Sequence, residues 1–220
     1  MNIKRILFWA IFIIILVLII WGLIVAMNKN PADGGSAKGT PMPIVATEHV
    51  RGPENAPVTI IEYADYQCPA CAAYYPTVER LVSEASTTVR FVARHFPLAQ
   101  HRNAVGAAQA AEAAGKQGKY WDMAGLLYDN QTAWEKLTVA QATDVFKGYA
   151  ERLKLDMVAY DADVKSPDIK AKIEADRADG IKIGVNSTPS FFINGKSIIN
   201  PAGYEAFKKL VDEAALGDSK

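Results

Sequence analysis

The 220-residue chain has two cysteines, and they stand two residues apart in Cys68-Pro69-Ala70-Cys71. The β-branched run Val58-Thr59-Ile60-Ile61-Glu62-Tyr63, entered through Pro57, precedes them and reads as a buried strand. Proline at the second position of the motif suits the first turn of a helix, where its missing N–H has no partner to lose. Tyr75, Val78, Leu81, Val82 and Ala85 then repeat at helical spacing, with Pro76 inside the stripe as an expected kink. The pair is therefore placed at a strand-to-helix junction, where two thiols can close a small disulfide and open it again.

Two other readings of the pair are weighed against redox exchange. Structural zinc needs four ligands, yet no second cysteine pair is present and His49, His95 and His101 are scattered, so no metal is expected. A purely structural bridge over so short a loop adds little stability, because loop-closure entropy grows with loop length. In the redox reading, Cys68 sits at the helix N-terminus, where unpaired N–H groups and the helix dipole favour a thiolate. Cys71, one turn on and more buried, attacks a mixed disulfide at Cys68 and releases the product.

The rest of the chain supplies a setting. Residues 6–27 carry no charge and are long enough, at roughly 33 Å as a helix, to span a bilayer core. Trp9 and Trp21 lie near the two ends of that run, so an uncleaved anchor is expected. Lys4 and Arg5 are balanced by Lys29 and Lys38, so orientation rests on chemistry: an oxidising dithiol belongs outside the cytoplasm. The expectation is a single-pass protein in the cell membrane. Residues 1–5 are cytoplasmic, 28–47 form a flexible Gly/Pro/Ala/Ser-rich tether, and the catalytic part lies on the outer side. Equal numbers of acidic and basic residues, 24 each, argue against a nucleic-acid partner.

Val89 to Phe96 reads as a second strand, stopped by Pro97. Helical texture follows. The segment 103–115 is alanine-rich, 119–128 is mostly apolar, and Thr138 with Gln141 forms a capping-box pattern for a helix to Leu153. Ser166-Pro167 opens a helix expected to end near Asp179, with Gly180 as its stop. After Thr188-Pro189, residues 190–193 and 196–199 flank Asn194-Gly195 as a hairpin, and residues 202–215 form a last helix. A helical block between two β regions gives an α/β (α+β) architecture with an insertion.

Cys-Pro-Ala-Cys after a strand, Pro76, and Thr188-Pro189 before a hairpin together resemble the thioredoxin superfamily. The segments Arg94-His95-Phe96-Pro97-Leu98 and Gln117-Gly118-Lys119-Tyr120-Trp121, with His101 and the alanines between, narrow the likeness to membrane-anchored DsbA-like thiol:disulfide oxidoreductases. The resemblance implies a thioredoxin-like fold over 48–100 and 180–220, with an inserted helical domain over 101–179. It implies that Cys68 is the reactive and Cys71 the resolving cysteine, with Pro69 and Ala70 forming the active-site loop. It further implies that Thr188 and a cis Pro189 face them and bind substrate and that Glu62 assists proton transfer, against the plain alternative of an outward-facing strand glutamate. No cofactor is implied beyond the Cys68–Cys71 disulfide.

The expected partners are reduced, unfolded secreted proteins and a quinone-linked membrane reoxidant, DsbB-like or vitamin-K-epoxide-reductase-like. The protein is expected to be a monomer. In strongly oxidising members a histidine stands where this chain has Ala70, so the direction of exchange is open between oxidase and reductase or isomerase. A tethered chaperone or binding module is the reading from another class. Asp65 and Tyr66 flank the loop, as groove residues or as a turn-stabilising Asp and a packing Tyr. Tyr74, Tyr75, Tyr120, Trp121 and Trp134 are expected in packing, and His95 and His101 in core or surface positions.

Overall fold

A computed structural model describes Trp9, residues 12–20 and residues 37–217. The chain divides into two compact units, Met1–Gly34 and Gly35–Lys220. In the first, residues 12–20 are helical and their apolar side chains are exposed. Most of the anchor expected over 6–27 lies outside the described residues. Among the described residues no helix is long and apolar enough to cross a membrane.

The second unit is built on a five-stranded mixed sheet. Its strands are β1 (His49–Arg51), β2 (Val58–Ala64), β3 (Val89–His95), β4 (Ser190–Ile193) and β5 (Lys196–Ser197), in the order β1-β3-β2-β4-β5. β2 pairs parallel with β3 and the other neighbours are antiparallel. The β2–β3 crossover passes through α1 (Pro69–Glu84), as a parallel pair requires. Alternation along the strands divides the core. Val58, Ile60, Val89, Phe91 and Phe191 pack with α1 and with α8 (Tyr204–Gly217), while Ile61, Tyr63, Val92 and Phe192 pack on the opposite face. Glu62 shares the parity of Val58 and Ile60, so its side chain is turned towards the α1 face.

Between β3 and β4 come six helices: α2 (Ala104–Gly115), α3 (Tyr120–Asp129), α4 (Gln131–Trp134), α5 (Val139–Arg152), α6 (Met157–Asp163) and α7 (Pro167–Ile183). Their core gathers the alanines of α2 with Met123, Leu127, Trp134, Phe146 and Tyr160. Small side chains on α2 allow close helix approach. The capping box at Thr138 is present in full. Ser166 holds the N-cap position of α7, but its hydroxyl donates to the Asp163 carbonyl instead of capping.

Three boundaries differ from the sequence reading. Gly180 does not end α7. A Cβ there would come within 2.7 Å of the Phe96 ring, so this glycine serves close packing inside the helix. The helix ends at Gly184, whose φ of 91° only glycine adopts readily. The domain boundary expected between 179 and 180 consequently falls within one helix.

The tether expected over 28–47 is not free along its whole length. Lys38 and Gly39 donate backbone hydrogen bonds to the Ile183 carbonyl, and Met42 N–H donates to Asp179. Composition shows that a segment lacks apolar periodicity, but not that its backbone finds partners 140 residues on, roughly. The hairpin's return strand is also shorter than expected, stopping at Ser197. Asn194 and Gly195 have φ of 47° and 77°, the left-handed pair that a two-residue turn of this hand needs.

A buried ionic cluster ties the preceding segment to the sheet and α7. Arg94 is 2% exposed and pairs with Asp179 at 2.8 Å and with Glu48 at 2.9 Å, while its guanidinium also donates to the Tyr63 hydroxyl at 3.0 Å and the Met42 carbonyl at 2.9 Å. The Tyr63 hydroxyl donates to Asp179 in turn. Two carboxylates and two neutral oxygens let the interior hold this charge.

Candidate active site

Cys68 occupies the N-cap position of α1 in extended conformation, with Pro69 as the first helical residue. The Cys68 N–H donates to the Asp65 carbonyl, and the Cys68 carbonyl accepts from Ala72 N–H, which closes the first turn. Both cysteines are free thiols. Cys68 is 7% exposed and Cys71 only 1%. Pro69 and Ala70 are exposed, so the surface beside Cys68 is the approach to the pair.

Facing the pair is the Thr188–Pro189 bond, which is cis. The Cys68 thiol donates to the Thr188 carbonyl at 3.3 Å. The Thr188 hydroxyl oxygen is buried and has no hydrogen-bond partner, which leaves it to support sulfur when the thiol ionises. Asn200 Nδ2 donates to the Pro189 carbonyl at 2.8 Å, and Ser190 Oγ to the Ser187 carbonyl, so the loop is held from both sides.

The two thiols differ sharply in acidity. Cys68 is lowered to about 5: the Cys71 thiol hydrogen-bonds to it, Thr188 and the backbone N–H groups of Cys71 and Ala70 add to this, and burial opposes. Cys71 is pushed well above the ordinary thiol range by burial, by its hydrogen bond to Cys68 and by the charges of Cys68 and Glu62. The Cys71 thiol, first, and then Thr188 and the backbone N–H groups at the helix start favour the Cys68 thiolate without any ring at Ala70. The arrangement is a stabilised thiolate at Cys68 beside a protonated Cys71.

Glu62 is 8% exposed and faces inward, so the outward-facing alternative does not describe it. Its carboxyl is raised to about 8, first by burial and then by the negative charge of Glu79. Across the β2–β3 pair Glu62 is in register with Ala93, whose small side chain leaves space beside it. A cavity of about 30 Å³ results, lined by Glu62, Ala93, Tyr75, Glu79, Trp121 and Tyr128 among others.

Polar side chains outside the cysteine motif hold the active-site loop. Buried Asp65 accepts from Gln67 N–H at 2.7 Å, Leu98 N–H at 2.8 Å and His101 Nδ1 at 2.7 Å, which settles its turn-stabilising alternative. Gln131 Nε2 donates to the carbonyls of Tyr66 and Cys68, and Gln67 Oε1 accepts from Asn103 N–H. The helical insertion thereby clamps the loop at its backbone. No signal at Gln67, Asn103 or Gln131 marks them in the sequence, since the partners of their side chains lie 31 to 68 residues away. Tyr66 packs into the core of the helical block, and its hydroxyl donates to Tyr120. His95 is buried and donates to Glu112 at 2.7 Å, while Trp134 is wholly buried. Among the described residues no group of acidic, His and Cys side chains is arranged to hold a metal ion.

Curated relatives that match over most of this chain include an Na(+)/H(+) antiporter NhaA 1 of Salinispora arenicola, 39% identical over 172 residues, and an Na(+)/H(+) antiporter NhaA of Herminiimonas arsenicoxydans, 34% identical over 151. The matches cover 77% and 69% of this chain but only 25% and 23% of those proteins, so the chain spans about a quarter of the length of these relatives. A thioredoxin-like oxidoreductase from Silicibacter pomeroyi is 27% identical with a TM-score of 0.65, covering 77% of this chain and 93% of that one. BdbD from Bacillus subtilis, in its oxidised form, superposes with a TM-score of 0.69 at 23% identity, over 83% of this chain and 99% of that one. Wolbachia pipientis alpha-DsbA1 gives 0.69 at 20% identity, over 80% and 94%. At such identities the last two show a shared DsbA-like fold. The family model described as thioredoxin matches residues 45–213, more than half of the chain, and the chain belongs to that family.

Proposed function

We propose that the chain is an extracytoplasmic thiol:disulfide oxidase that passes a Cys68–Cys71 disulfide to reduced proteins. The observation that carries this reading is the Cys68 thiol at the start of α1. Its acidity is raised to the point that it ionises at about pH 5, and it lies against the Thr188 carbonyl before a cis proline. A thiolate favoured in the reduced form makes the corresponding disulfide a stronger oxidant and makes Cys68 the better leaving group.

A substrate thiolate attacks Cys68 Sγ of the disulfide, forming a substrate–Cys68 bond and releasing Cys71 as thiolate, which takes a proton from Glu62. A second substrate thiolate attacks the substrate sulfur of the mixed disulfide and releases Cys68 as thiolate. The substrate is oxidised and the pair is reduced by two electrons. Thr188 and Pro189 align the substrate segment beside Cys68, and the exposed Pro69–Ala70 edge admits it. Substrates are unfolded, reduced secreted proteins. Reoxidation falls to a quinone-linked membrane partner of the DsbB-like or vitamin-K-epoxide-reductase-like kind, with residues 6–27 holding the chain in the same bilayer. No bound cofactor takes part, and the protein acts as a monomer. The ion exchange in the relatives' names is not carried over, since the matching stretch is a quarter of their length.

Cys71→Ser tests this reading, because it removes the resolving thiol while leaving Cys68. With Cys68 first converted to its thionitrobenzoate mixed disulfide, it should react with a reduced single-cysteine peptide, release thionitrobenzoate and keep a stable Cys68–peptide disulfide, whereas Cys68→Ser, whose remaining thiol is buried, should form none. Equal trapping by both variants would sink the assignment. A reductase or isomerase is the second reading, favoured by Ala70 at the position between the cysteines. Thiol alkylation in intact cells separates the two, since an oxidase is found with the pair closed and a reductase with it open.

A further inference from the structure

Glu62 is buried, so any proton it gives to Cys71 must be replaced from solvent, and the cavity beside it suggests where. The space of about 30 Å³ is large enough for one or two waters by the usual requirement of roughly 10–15 Å³ each. It runs from Glu62 to Glu79, whose side chain is 33% exposed. Glu79 is held there by a bidentate pair to Arg51 at 2.8 and 2.9 Å, and the Arg51 guanidinium lies 4.0 Å from the centre of the Trp121 ring. Trp121 and Glu79 both line the cavity, so the Arg51–Glu79 pair sits at its outer end.

The other titratable groups around Glu62 do not reach solvent as proton carriers. Tyr66, Tyr75, Tyr120 and Tyr128 are all raised by burial and keep their protons through the neutral range. Arg94 is committed to Asp179 and Glu48, and His95 is buried against Glu112. Cys71 is the proton's destination. Glu79 is left as the carboxylate that touches both the cavity and the surface.

We propose that Glu79 is the solvent end of a water-filled proton path that reloads Glu62, with Arg51 fixing its carboxylate at the mouth. This rests on the role of Glu62 in the proposed exchange. In each turnover Cys71 thiolate takes the Glu62 proton, leaving a carboxylate. A proton taken from solvent by Glu79 crosses the cavity water to Glu62 and restores its acid form. No electron moves in this step. Glu79 acts through Glu62 and is thus a positioning residue of the reaction.

The experiment is single-turnover reduction of the oxidised full chain in detergent by glutathione, followed across pH for wild type, Glu62→Gln, Glu79→Gln and Glu79→Asp. Above about pH 8, where Glu62 starts ionised and must be loaded within the turnover, Glu79→Gln should slow the proton-dependent step about tenfold, less than the roughly hundredfold of a group acting directly on the reacting atoms, because it acts through Glu62. Added imidazole, a small proton carrier, should restore the rate, and Glu79→Asp should retain most of it. A Glu79→Gln rate equal to wild type, or a loss that imidazole does not restore, overturns the path while leaving the exchange intact. A Glu62→Gln profile identical to wild type overturns both the path and the proton role of Glu62. A wild-type chain that glutathione does not reduce through Cys68 overturns the function itself.

Discussion

The Cys68 thiol lies 3.3 Å from the Thr188 carbonyl, at the start of α1 and 120 residues away along the chain. The sheet creates this meeting, since β2 leads into Cys68 and β4 follows Pro189, and the two strands are antiparallel neighbours. The two thiols should consequently titrate far apart. Alkylation of Cys68 should reach half its limiting rate near pH 5, while Cys71 stays unreactive through neutral pH. Rapid alkylation with mass mapping of each cysteine checks this. Equal rates at pH 7 would contradict it.

Glu62 should make the fold less stable as pH rises. Its acid form is favoured in the folded state, with titration moved from an ordinary 4.5 up to about 8. The sign follows: below about pH 4.5 it is protonated folded or unfolded and costs nothing. Between 4.5 and 8 the unfolded chain gains by ionising, and above 8 the penalty is constant. Glu62→Gln should match wild type near pH 4 and be more stable at pH 8 to 9. Urea unfolding at the two pH values measures the gap.

How far these features were legible in the sequence depends on the range of the interactions that make them. The strand before Cys68, the start of α1 at Pro69, the capping box at Thr138 and the Asn194-Gly195 turn are set by neighbours within four residues, roughly, and read directly. The three-residue β1 and the short α4 and α6 carry no period long enough to see. A glycine near a helix end reads as a stop, whereas at Gly180 the Phe96 ring decides the residue's identity. The thiols were visible as a pair. The Asp65–His101 and Gln131–Cys68 bonds that hold their loop were not, because only the fold joins those positions.

Asp179 should be the costliest single charge to remove. It receives Arg94, Tyr63 and the Met42 N–H within a nearly dry pocket. Asp179→Ala should destabilise by about 3–5 kcal/mol, the usual penalty for removing one partner of a buried ion pair, even though Glu48 still faces Arg94. It also removes the acceptor of the Met42 N–H, so limited proteolysis near Met42 should be faster than in wild type. Loss of stability without new cleavage would separate the ionic role from the strapping role.

Glu112 bridges two histidines, His49 at 2.8 Å and His95 at 2.7 Å, and these hydrogen bonds and charges hold its carboxyl well below the ordinary range despite burial. A depressed carboxylate stabilises the fold above about pH 4.5 and loses that contribution as pH falls towards its folded value. Glu112→Gln should therefore cost more stability at pH 6 than at pH 3. Thermal unfolding at both values decides it.

The equilibrium reduction potential of the Cys68–Cys71 pair, set against glutathione, tests the oxidase reading most directly. A thiolate as favoured as that of Cys68 predicts a value at the oxidising end, roughly −120 to −180 mV. A value near that of thioredoxin, roughly −270 mV, would contradict it and assign the chain to reduction.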